Sequence, residues 1–137
     1  MADGDIRKRM HFVDELDVVW SLKSLHSIAV GLKQLHGIEV SHQDLKPSNI
    51  LVFREESKIG DMGRSVSRRL PSPYDNLQFS GDKNYAPPEI LYGFQEPDWF
   101  KRTYSTDCYL LGSLIVFYFT GISMTALLRL KIPDNLS

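Results

Sequence analysis

Residues 41–52 read S-H-Q-D-L-K-P-S-N-I-L-V, which sets a carboxylate (Asp44), an ammonium (Lys46) and a carboxamide (Asn49) within one short stretch. A carboxylate can orient a hydroxyl, an ammonium can offset a growing anion, and carboxylate and amide oxygens can hold a hard divalent cation. A second carboxylate follows in Asp61-Met62-Gly63. Taken one at a time, each Asp or Asn here is an ordinary turn residue with an Asx cap. Other chemistries have less to offer. Histidines 11, 26, 36 and 42 show no metal-ligand spacing, and no G-x-S-x-G elbow occurs. Cys108 stands in an apolar run, a setting that keeps a thiol inert. Arg64, Arg68 and Arg69 make too small a basic cluster to argue for nucleic acid.

Elements must position these groups. In residues 21–36 the apolar positions Leu22, Leu25, Ala29, Leu32 and Leu35 recur at helical steps, with Ser21 as N-cap and Gly37 as the residue past the end. The whole helix is assigned to residues 14–36, and a weaker signal marks a short helix over 5–12. Ile38 and Val40 read as a brief extended segment. Residues 50–53 and 58–59 read as two strands around a polar turn, within a hairpin spanning 50–60. Periodicity vanishes from Gly60 to Pro88, and a loop that long is usually functional or disordered. Order returns near Glu89 and in the uncharged run 108–128, which is long enough to cross a bilayer or to fill a protein core.

The 137 residues and 15.7 kDa suit one domain, and 42% hydrophobic content supports a packed core. A net charge of -1 gives no general pull toward nucleic acid or an anionic membrane. Residues 1–10 mix acidic and basic groups without an apolar stretch of signal-peptide length, and Cys108 is the single cysteine. A reducing, cytoplasmic setting is expected.

The segment around Asp44 resembles the catalytic loop of protein kinases, H-R-D-L-K-P-x-N, at His42, Asp44, Leu45, Lys46, Pro47 and Asn49. Three further motifs follow in the family's order. Asp61-Met62-Gly63 resembles Asp-Phe-Gly, Tyr85-Ala86-Pro87-Pro88-Glu89 resembles Y-x-A-P-E, and residues 107–112, D-C-Y-L-L-G, resemble D-x-W-S-x-G. Gly4-Asp5-Ile6-Arg7 is similar to the opening of the helix after the kinase hinge.

The resemblance implies an α+β fold: a kinase C-terminal lobe, mainly helical, with a small β hairpin beside the catalytic loop. It divides the chain into a helix to residue 36, a catalytic loop at 41–49, an activation segment at 61–89 and a core helix at 105–120. The core helix replaces the membrane reading of 108–128. The implied activity is transfer of the γ-phosphoryl group of ATP to a Ser/Thr hydroxyl of a protein. Asp44 would orient that hydroxyl, Lys46 would face the phosphoryl group, and Asn49 and Asp61 would hold Mg2+. Lys46, Asn49, Leu51 and Asp61 would contact the nucleotide, and Asp107 would brace the catalytic loop.

Some positions depart from the pattern. Gln43 replaces the Arg that pairs with a phosphate on the activation segment, so a non-RD kinase is implied, with a segment ordered without phosphorylation. Asp82 stands where many Ser/Thr kinases carry Thr; it could pair with Lys46 and would repel Asp44. Neither G-x-G-x-x-G nor a V-A-I-K-like strand occurs in the sequence. The N-terminal lobe is therefore expected to be absent, with weak Mg-ATP binding and little turnover by this segment alone. Expected partners are a protein substrate and a missing N-lobe or regulatory protein. The alternative is a catalytically dead kinase-like lobe that acts as a protein-binding or regulatory module.

Overall fold

Asp17, not Ser21, starts the long amphipathic helix. The computed structural model describes residues 2–11 and 17–132, and in it the Asp17 carboxylate caps the Trp20 N–H of α2, Val18–Gly37. Residues 14–16 of the expected helix lie outside the described residues. The helix turns a different face inward from the one its leucines suggest. Leu22 is 56% exposed, whereas Trp20, Ser21, Ser24, Leu25, Ile28 and Leu32 are buried. Hydrogen bonds explain the serine: the buried Ser24 hydroxyl bonds both the Ser57 and the Tyr118 hydroxyls, so a polar side chain faces the core without an unmet donor. Burial pushes the Tyr118 hydroxyl up to about 12 against the opposing hydrogen bonds from Ser24 and Ser57. At the other end, α2 runs through Gly37. Ile38 is its C-cap rather than part of a strand, and the left-handed residue is Glu39, with φ 59.

Ahead of α2 lies the short helix α1, Ile6–His11, whose Ile6 is fully buried. After it, β1 (Val40–Ser41) leads into loop 41–49, which ends in a 3-10 turn at Pro47–Asn49. Strands β2 (Ile50–Phe53) and β3 (Glu56–Ile59) form an antiparallel hairpin with Phe53 opposite Glu56. The second strand is longer than the sequence suggests, because Arg54 takes a left-handed conformation (φ 56) and tightens the turn. β4 (Val66–Ser67) pairs antiparallel with β1, tying the long polar segment to the start of loop 41–49. That segment also contains 3-10 turns at Met62–Arg64 and Lys83–Tyr85, so it is folded rather than an open loop.

The chain closes with α3 (Pro88–Leu91), α4 (Trp99–Thr120) and α5 (Met124–Lys131). The long helix begins at Trp99, capped by Asp98, ahead of the expected residue 105. It ends at Gly121, whose φ of 76 few other residues adopt easily. The apolar run 108–128 is thus split between two helices bent by 84°, and no single described helix is long and apolar enough to cross a membrane. Leu110, Leu114 and Tyr118 of α4 join Ile28 and Leu32 of α2, Leu45, Ile50 and Val52 in one core. Cys108 contradicts the sequence reading of an apolar setting, since it lies exposed on α4. Burial of part of the thiol and the neighbouring Asp107 charge still push its pKa up.

Candidate active site

Loop 41–49 is held from below by one carboxylate. Asp107, on α4, is 0% exposed and accepts hydrogen bonds from the backbone N–H groups of His42 (2.9 Å) and Gln43 (2.8 Å) and from the Ser41 hydroxyl (2.7 Å). His36 Nε2 adds a fourth contact at 2.8 Å. Satisfying a buried charge so completely fixes the loop backbone, because each donor would lose a strong bond by moving. The bracing expected of Asp107 is seen. The histidine was not foreseen: His36 stacks on Tyr104 with ring centroids 3.9 Å apart, and the Tyr104 hydroxyl donates to the His36 carbonyl at 2.8 Å. Its one sequence signal is a histidine ending a helix that leads straight into the loop.

Gln43 turns inward at φ 67, and its Nε2 donates to Ser41 Oγ (2.8 Å) and to the Thr103 carbonyl (3.2 Å). A side chain used that way cannot face a phosphate on another segment. His42 is fully buried. Its Nε2 donates to the Gly60 carbonyl at 2.9 Å, and its Nδ1 accepts the Asp44 N–H at 3.3 Å. One imidazole thus joins Asp44 to the residue before Asp61.

The Asp44 carboxylate is 7% exposed by residue and has partners on both oxygens. Oδ1 accepts the Asp82 N–H at 3.0 Å, while Oδ2 accepts Asn49 Nδ2 at 3.1 Å and lies 3.5 Å from Lys46 Nζ. Asn49 Nδ2 also donates to the Asp44 carbonyl at 2.8 Å, which leaves its Oδ1 as the free hard donor of that amide. Lys46 Nζ sits 3.2 Å from Asp82 Oδ2. Burial acts to lower the Lys46 pKa, but the Asp82 hydrogen bond and the Asp44 and Asp82 charges outweigh it and move the pKa up.

Asp61 is placed differently. It is exposed, in a left-handed conformation (φ 54), and its Oδ1 accepts the Gly63 N–H at 3.1 Å. Among the described residues no hydrogen bond or ion pair links its side chain to Asp44, Lys46 or Asn49. The backbone makes the link instead, because the Gly60 N–H donates to the Asn49 carbonyl at 2.8 Å. Leu51 is half-buried on β2, and a Cβ on Gly60 would come 2.9 Å from its Cδ1, so the glycine lets the two strands' ends lie close. No cluster of three or more His, Cys, Asp or Glu residues suited to a metal occurs among the described residues. Mg2+ takes one or two protein oxygen donors and completes its shell with water and substrate phosphates. By donor chemistry the Asp61 carboxylate and the Asn49 Oδ1 are oxygens of the kind such a cation takes.

The sequence profile of the protein kinase domain matches residues 6–127, nearly all of the chain. The chain belongs to the protein kinase family. Among curated kinases it is similar to the serine/threonine-protein kinase SBK1 of Danio rerio, 36% identical over 102 residues that cover 72% of this chain and 25% of the relative. The serine/threonine-protein kinase/endoribonuclease IRE1b of Arabidopsis thaliana is 34% identical over 109 residues, 73% of this chain and 12% of that protein. A probable cell division protein kinase of Encephalitozoon cuniculi is 35% identical over 115 residues, covering 83% of this chain and 35% of that kinase. The chain therefore spans about a third or less of the length of these kinases. The Asp107 brace, the His42 link and the Asp44–Asn49–Lys46 cluster all lie within the matched span.

Proposed function

We propose that this chain carries the catalytic lobe of a Ser/Thr protein kinase and takes part in transferring the γ-phosphoryl group of ATP to a protein hydroxyl. One observation supports this above all. The Asp44 carboxylate is held by Asn49, Lys46 and the Asp82 N–H on a loop that Asp107 fixes through two backbone amides. Preorganised polar groups of this kind are what a charge-separating transfer needs, since they do not have to reorient as charge moves.

In this reading Asp44 receives and orients the acceptor hydroxyl, and Lys46 faces the transferring group. Asn49 Oδ1 and Asp61 hold Mg2+, which offsets phosphate charge when bound. Leu51 lies beneath the nucleotide. Magnesium-dependent transfer by the full-length gene product to a protein acceptor tests it. Asp44→Asn should lower kcat by about 10²–10⁴, far more than the modest loss of thermal stability expected from replacing one of its two accepting oxygens by an amide NH2. Asp61→Asn should raise the magnesium requirement for nucleotide binding. A wild-type product that binds no Mg-ATP, or transfer indifferent to both substitutions, would sink the assignment.

A second reading, a kinase-fold module that binds a protein partner without transfer, draws on the two carboxylates that already flank Lys46. It expects partner binding that survives both substitutions.

A further inference from the structure

Asp82 serves two neighbours with two different groups. Its N–H donates to Asp44 Oδ1 at 3.0 Å, and its Oδ2 lies 3.2 Å from Lys46 Nζ. Its Oδ1 accepts the Asn84 N–H at 2.9 Å and caps the turn Lys83–Tyr85. The residue thus offers an amide rather than a carboxylate to Asp44, which relieves the repulsion expected between two aspartates. The side chains of Lys46 and Asp82 are 22% and 30% exposed, open enough for an anion to compete for the ammonium. Two carboxylates flank one cation, so the cluster is left with one negative charge in excess.

We propose that Asp82 is a resident counter-ion for Lys46, a positioning residue that engages the ammonium at rest and that an arriving polyphosphate must displace. The proposal rests on the kinase reading above. A neutral side chain at 82 would leave Asp44 as the single counter-ion, and the phosphate chain of ATP would meet a less compensated cation. The direction of the Lys46 pKa agrees, since Asp82 is the largest influence that raises it.

The test uses the full-length product and a fluorescent ATP analogue with Mg2+. Asp82→Asn keeps the backbone N–H for Asp44 and an oxygen for Asn84, so the turn is retained while the charge and the Lys46 hydrogen bond are lost. It should tighten Mg-nucleotide binding about two- to fivefold, the range expected for a partly exposed ion pair. Asp82→Glu retains a carboxylate near Lys46 and should show no such tightening. Asp75→Asn removes a charge from the same segment, where no ion pair to Lys46 exists, and should change nothing. A second readout needs no nucleotide: acylation of the Lys46 amine, followed by mass spectrometry, should speed up in Asp82→Asn. Measurable nucleotide binding left unchanged or weakened by Asp82→Asn, equal tightening by Asp75→Asn, or unaltered Lys46 reactivity would each overturn the proposal. Absence of any Mg-ATP binding in wild type and variant alike, with Lys46 reactivity rising as expected, would overturn the kinase reading instead.

Discussion

Loop 41–49 and the segment 61–85 contribute to the same candidate site, yet they are held in opposite ways. The loop is buried and bonded from below. Ser41, His42, Gln43, Asp44, Leu45 and Asn49 are all nearly inaccessible, and a single carboxylate gathers its backbone amides. The segment lies on the surface and is fastened at a few points. β4 pairs with β1, and Arg64 and Ser80 clasp each other, the Arg64 Nη1 donating to the Ser80 carbonyl (3.1 Å) and the Ser80 hydroxyl to the Arg64 carbonyl (2.7 Å). Farther along, Asp82 meets Lys46. The difference separates a part whose geometry belongs to the global fold from a part that can open locally, in the way surface segments with few buried contacts do. The Arg64–Ser80 clasp joins the segment's two halves through two hydrogen bonds.

The sharpest way to break this contrast is at Asp107. Asp107→Ala strips four donors of their buried acceptor and should cost about 3–5 kcal/mol in urea unfolding of the full-length product. A loss below about 1 kcal/mol would mean that the loop does not depend on the brace. Next comes the clasp. Ser80→Ala should cost about 1 kcal/mol and speed proteolytic cleavage within 61–85 while leaving cleavage elsewhere unchanged. Acceleration throughout the chain would show that the segment is not a separate unit.

A smaller effect belongs to the Asp82–Lys46 pair. The Asn84 N–H, ahead of the opposing burial and the Lys46 hydrogen bond, holds the Asp82 carboxyl below its ordinary 3.8. A depressed carboxyl stabilises the fold fully above 3.8 and loses that contribution as pH falls toward its folded value. The raised Lys46 contributes fully below 10.5 and loses its share as pH rises past that value. The stability difference between wild type and Asp82→Asn should thus be flat between these limits, stay under about 1 kcal/mol and vanish in acid. Smallest of all, Asp61→Asn should change stability by no more than about 0.5 kcal/mol, as an exposed position should, whatever it does to magnesium binding.

Residue types and order suggest the grouping of Asp44, Lys46 and Asn49, whose side chains the structure brings together, whereas the Asp61 side chain bonds only locally to the Gly63 N–H. What could not be read depends on contacts across long separations. His36 reaches Asp107 from another helix, and Ser24 is drawn inward by Ser57 and Tyr118. Neither pairing leaves a local pattern. The buried face of α2 differs from its leucine stripe for that reason: hydroxyl pairing and the Trp20 packing decide which residues are buried. Both helices start at caps that their apolar spacing does not mark, Asp17 for α2 and Asp98 for α4. The pairing of Asp82 with Lys46 could be anticipated from charge, but the amide turned toward Asp44 could not.

Gly81, the residue beside Asp82, bears on how this site could vary by descent. A Cβ there would run into the Gln43 carbonyl oxygen and the Phe79 ring. Backbone cannot yield as the tip of a flexible side chain can, so the conflict would fall on the very loop that Asp107 fixes. Every missense change in a glycine codon adds that carbon. Position 81 should therefore be silent in a library of surviving variants, tolerating synonymous changes and little else. Gly37, with open space around its missing side chain and an ordinary helical backbone, should accept alanine freely.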